Sequence, residues 1–133
     1  MKNLLLLLIA IFGLVITLPV TIQAEEGADD VAHYEGKEFQ SKKEAMQALT
    51  ETSTKMAMIA AEETLDVAKM EEIHEISYTT ENAVGYLNKK SQLDELAVKL
   101  EEVHLSSEDH SADDLRRNYI IYQAELTNYL AKN

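Results

Sequence analysis

Cysteine is absent from this 133-residue sequence. That excludes disulfides, thiolate metal sites, iron–sulfur clusters and covalently attached c-type haem. Stability has to come from packing alone. The only proline, Pro19, lies in the first apolar stretch, and the glycines beyond that stretch, Gly27, Gly36 and Gly85, form no phosphate-binding loop. Basic residues are scarce, 12 against 24 acidic ones, for a net charge of −12. Such a charge repels nucleic acid and anionic membrane, so neither is expected as a partner. It suits cations or a basic protein. No nucleophile elbow or placed catalytic triad occurs, which points away from an enzyme.

What is present begins with a leader. Met1, Lys2 and Asn3 form a short basic start, Leu4–Val20 is almost wholly apolar, and Ala24 precedes Glu25 and Glu26. A charged start, an apolar stretch and a small residue before a polar shift make a secretory signal peptide at residues 1–24. The competing expectation is an uncleaved anchor, because the stretch is nearly long enough to span a bilayer. With cleavage after Ala24 the chain keeps 133 − 24 = 109 residues, with 11 basic and 24 acidic ones, a net charge of −13. One domain is expected, periplasmic or secreted. No Cys follows the apolar stretch, so a lipid anchor is not expected.

Residues 25–40 show no period and read as an irregular polar lead, docked through Tyr34 and Phe39. Residues 41–133 read as a helical bundle. Ser41 with Glu44 makes a capping box, and helix 1 should run from about Lys42 to Glu63. Its apolar stripe is Ala45, Met46, Leu49, Met56, Ile59 and Ala60. Asp66 caps helix 2, whose stripe is Met70, Ile73, Ser77, Thr80, Val84 and Leu87. Ser91 with Asp94 should start helix 3, carrying Leu93, Leu96, Leu100, Val103 and Ser107. Ser111 with Asp114 should start helix 4, carrying Leu115, Tyr119, Tyr122, Leu126 and Tyr129. The fold class is all-α, a small up-down-up-down four-helix bundle. The alternative is a three-helix arrangement with a long middle helix, since neither Gly nor Pro enforces a turn at Asn88–Ser91.

Chemistry concentrates on two helices. Glu71-Glu72-Ile73-His74 and Glu101-Glu102-Val103-His104 each place a Glu and a His three apart, on one helix face. Carboxylate-bridged metal bundles use that spacing. If helices 2 and 3 form a hairpin near Lys90, His74 lies level with Ser107, Tyr78 with Val103, and Glu81 with Leu100 and Glu101. The donors then converge within roughly 11 Å. If the two helices are one rod, His74 and His104 sit about 45 Å apart and share no site. The candidate metal ligands are His74, His104, Glu101 and Glu108, with Glu71 or Glu81 as further donors and Tyr78 orienting a ligand. Imidazole with carboxylate suits a divalent transition metal. The competing expectation is a purely structural polar seam, because Glu is abundant and helices 1 and 4 supply few inward carboxylates. That shortage also argues against a full dinuclear site. The methionines Met46, Met56, Met58 and Met70 read as core filler, and His33 and His110 as solvated loop residues.

Three segments carry a resemblance: His33-Tyr34-Glu35-Gly36-Lys37, Ile73-His74-Glu75-Ile76-Ser77-Tyr78-Thr79-Thr80-Glu81-Asn82-Ala83, and Leu100-Glu101-Glu102-Val103-His104-Leu105-Ser106-Ser107-Glu108. Together they resemble a family of small, signal-bearing bacterial proteins classed as a domain of unknown function. The resemblance implies a periplasmic helical protein and brings no activity with it. In size, export and lack of Cys the chain is also similar to the soluble periplasmic b-type cytochrome bundle, which ligates haem with a Met on helix 1 and a His near the end of helix 4. Helix 4 here has no His, so that ligand set does not carry over. The sequence thus points to a non-enzymatic exported bundle with a candidate metal site between helices 2 and 3. An acidic interaction or chaperone-like bundle without metal is the alternative, and a haem b bundle the second.

Overall fold

The first two helices each begin where a side chain accepts a free amide. The computed structural model describes residues 34–89 and 92–133. Helix α1 spans Lys42–Ala60, where Ser41 Oγ accepts from the Glu44 amide and the Glu44 carboxylate reaches back to the Gln40 amide. It ends three residues before the expected Glu63. The Arg116 guanidinium, reaching across from helix 4, takes the carbonyls of Ala60, Glu62 and Glu63 and so finishes that end. Helix α2 spans Val67–Leu87, with the Asp66 carboxylate accepting from the Lys69 amide. Helix α3 spans Asp94–Glu108 and α4 spans Ala112–Leu130.

The break between α2 and α3 settles the topology. Asn88 replaces a glycine turn by hydrogen bonding: its side-chain oxygen accepts from the Leu93 amide at 2.8 Å, and its Nδ2 donates to Asp94 Oδ1 at 2.6 Å. The chain therefore reverses, and the long middle helix is excluded. The expected Ser91–Asp94 cap needs correction. Leu93 holds the N-cap position and Asp94 is occupied by Asn88, while Lys90 and Ser91 lie outside the described residues. Ser111 does occupy the α4 N-cap, but its hydroxyl donates to Asp114 Oδ2 rather than accepting an amide. The leader at 1–24, its cleavage point and His33 also lie outside the described residues.

Consecutive helices pack against each other and α4 closes on α1, giving the up-down-up-down bundle. The predicted stripes form the core. Leu49, Met56, Ile73, Val84, Leu100, Val103, Leu115 and Tyr122 are all at most 1% exposed, each large aliphatic contributing about 1.5–3 kcal/mol through burial. Met46, Leu87 and Tyr129 are only half-buried, and Met58 is exposed. The polar positions of the α2 and α3 stripes are buried too, with Ser77 and Ser107 fully enclosed. Each serine donates to the carbonyl of the His three residues earlier, His74 and His104, at 2.7 and 2.6 Å. That back-bonding satisfies the hydroxyls within their own helices, and their small volume lets the two backbones approach. Among the described residues, no helix is long and apolar enough to cross a membrane.

The described part of the irregular lead, residues 34–40, is seated along α2. Phe39 is buried in the core. The Lys37 amide donates to Thr79 Oγ1 and the Asn82 side chain donates to the Lys37 carbonyl. Gly36 lies so near α2 that a Cβ there would stand 2.5 Å from the Tyr78 carbonyl oxygen. Only glycine permits that approach.

Candidate metal centre

The α2–α3 reversal brings two imidazoles thirty positions apart into contact. The His74 and His104 rings lie 4.8 Å apart between centroids. His74 is 1% exposed and His104 8%, so both are part of the interior. Tyr78, one turn beyond His74, packs against both rings at 5.4 and 4.7 Å. Tyr34 from the lead meets His74 edge-on at 5.7 Å and Tyr78 at 6.1 Å.

Among the described residues two groups of metal-type donors form, each with ligand atoms mutually within 4.8 Å: His74, His104 and Glu108, and Glu81, Glu101 and His104. They share His104, whose Nδ1 contacts Glu81 Oε1 at 2.5 Å. A carboxylate can only accept, so Nδ1 carries the hydrogen, and in the neutral ring Nε2 keeps its lone pair. A metal-binding His is commonly oriented this way by a carboxylate. His74 differs. Its Nε2 faces the Tyr78 hydroxyl at a long 3.4 Å, and its Nδ1 is buried with no hydrogen-bond partner among the described residues. The nearest carboxylate oxygen there, Glu71 Oε2, is 3.6 Å away, too far for a hydrogen bond.

Charge at the site is negative. The hydrogen bond that His104 donates to Glu81 raises the His104 pKa above its ordinary 6.5, against the opposing effect of burial, with Glu101 and Glu108 adding to the rise. Burial first, then Glu108 and Glu81, pushes the Tyr78 phenol up. Tyr78 is therefore a neutral hydroxyl at physiological pH.

Of the residues singled out from the sequence, His74, His104 and Glu108 come together, Glu81 and Glu101 form a second group with His104, and Tyr78 lies against both rings. Glu71 joins neither group: its Oε1 pairs with His110 Nε2, which together with His74 lowers the Glu71 pKa. His110 was expected to be solvated and is exposed, yet it is tied to α2 by this pair. It sits in the α3–α4 turn at φ +51. Two features escaped the sequence. Tyr34 was expected to dock the lead, but not onto the site; the adjacent Gly36 was the available signal. The pattern Glu-x-x-His-x-x-Ser occurs on both helices, as Glu71–His74–Ser77 and Glu101–His104–Ser107, and the serines set the close approach.

No curated protein and no solved structure matches the chain. One family profile does, described as a family of unknown function (DUF6746), and it spans residues 1–131. The chain, an all-α bundle with a buried His pair among carboxylates, belongs to that family.

Proposed function

We propose that this chain is an exported, periplasmic or secreted bundle that holds one divalent transition-metal ion in the α2–α3 seam. His74, His104 and Glu108 are the donors, and Glu81 fixes the His104 ring. The observation that carries the proposal is His74: a buried imidazole nitrogen without a hydrogen-bond partner, in a ring packed on a second imidazole and grouped with a carboxylate. A buried polar atom left unpaired costs free energy, and an ion is one of the few things that justify it. The donor set of two nitrogens and an oxygen suits zinc, iron, manganese or copper(II). Because the two donor groups share His104, and Glu81 occupies its Nδ1, one ion is expected rather than two. The seam does not suit haem, since rings 4.8 Å apart leave no slot between them for a porphyrin.

Metal analysis and zinc titration of untagged protein, compared with the His74→Ala/His104→Ala double variant, test this. One equivalent bound by the natural chain and none by the variant is the expected result. Equal and negligible zinc in both ends the proposal.

A further inference from the structure

The Tyr34–Lys37 stretch supplies no donor, yet it lies on the site. Tyr34 stands edge-on to the His74 ring and against Tyr78. The backbone behind it is held at several points along one face of α2. Gly36 abuts the Tyr78 carbonyl, the Lys37 amide donates to Thr79 Oγ1 at 3.1 Å, the Lys37 carbonyl accepts from Asn82 Nδ2 at 3.3 Å, and Phe39 is buried in the core. These anchors differ in kind. Phe39 is a permanent hydrophobic anchor. The Lys37 bonds are solvent-exposed and weak, and Tyr34 is only half-buried. Such a segment opens locally at far lower cost than the bundle unfolds.

We infer that residues 34–39 form a strap hinged at Phe39 that seals the imidazole pair, so that Tyr34 and Gly36 belong to the site and decide what reaches it. The sealed seam admits a bare cation when the strap lifts and excludes anions and small organic ligands from the donors. Tyr34 covers the His74 ring without donating to it, which makes it a positioning residue. Gly36 is what allows the cover to lie flat. The cation's part in this rests on the metal site proposed above, whereas the seal over His74 does not.

The test therefore has two arms, on the purified chain and its Gly36→Val and Tyr34→Ala variants. Gly36→Val forces the strap away through a clash with the Tyr78 backbone, and Tyr34→Ala removes the cover without a clash. In the first arm the metal-free proteins are acylated with diethylpyrocarbonate, and the His74 peptide is followed by mass. The His74 rate should rise about ten-fold in both variants while the helical circular dichroism stays unchanged. In the second arm zinc-loaded protein is stripped with excess EDTA, and zinc loss should quicken by about ten-fold in the variants. His74 equally protected in Tyr34→Ala, with the fold intact, overturns the strap. A natural chain that takes up no zinc overturns the metal site instead, and the first arm still decides the seal.

Discussion

Two polar seams of this bundle treat their polar groups in opposite ways. Between α4 and α1, each buried hydroxyl has a partner. Tyr122, fully enclosed, shares a 2.6 Å hydrogen bond with Ser53 Oγ, and the Tyr119 hydroxyl donates to the Ser53 carbonyl at 2.6 Å, with Gln123 also in reach. Burial pushes the Tyr122 phenol up to about 12, partly offset by Ser53, and burial raises Tyr119 as well. Neither ionises at physiological pH, so this seam is neutral, satisfied and structural. Between α2 and α3 the groups are titratable, ringed by carboxylates, and one imidazole nitrogen is left without a hydrogen bond. Polarity is common to both, and among the described residues the unpaired buried atom lies in the α2–α3 seam, which sets a site apart from a polar core.

The largest effect should come from breaking the complete seam. Tyr122→Phe keeps the ring and removes the hydroxyl, stranding Ser53 Oγ in a buried position. The expected loss is about 1–3 kcal/mol, the usual cost of orphaning a buried partner. Urea unfolding measures it, and zinc binding should be untouched. A loss of zinc binding instead would mean that the two seams are not independent.

A smaller effect concerns charge, and it appears in metal-free protein as a dependence of the urea midpoint on pH. Glu81 raises the folded pKa of His104 above the ordinary 6.5. A raised value means that the folded state holds the proton more tightly. The pair's stabilisation is complete below the unfolded pKa and disappears as pH rises through the folded one. The urea midpoint should therefore fall as pH is raised from below 6.5, and Glu81→Gln should flatten that slope. The Tyr122 seam offers no counterpart, because its groups do not titrate in this range. An unchanged slope in Glu81→Gln would assign the pH dependence to groups other than this pair.

The sequence made the bundle legible because helix patterning is local. Leu93, Leu96, Leu100 and Val103 declare a buried face by spacing alone, and they are buried. Ser41 and Asp66 announce helix starts by the same local chemistry. The α2–α3 turn was harder, since Asn88 makes it through a side chain bonding residues five and six positions later, a pattern that many exposed asparagines fail to make. The meeting of His74 and His104 followed once that turn was assumed. Two contacts could not be read at all. Glu71 turns to His110 and Tyr34 turns to His74 across 39 and 40 positions, and no periodicity encodes such long-range choices.

The smallest effect is also the sharpest comparison. His74→Leu places an apolar side chain of similar size where the unpaired imidazole sits. In a satisfied seam such a change would cost several kcal/mol through stranded partners. Here there is little to strand. Nδ1 has no hydrogen bond to lose, and the Nε2 contact to Tyr78 is long at 3.4 Å. The desolvation cost of the imidazole itself disappears. Metal-free His74→Leu should therefore unfold within about 1 kcal/mol of the natural chain, or above it, since apolar replacement of an imperfect buried polar group is close to neutral. Its zinc binding should vanish. Thermal unfolding with and without zinc reads both: the natural chain should shift upward with the ion, and the variant should not move. A severe loss of stability in the metal-free variant would show that His74 is a structural residue, complete in itself, and would dissolve the contrast between the seams. A stable variant deaf to zinc would locate the incompleteness of the bundle in that one ring.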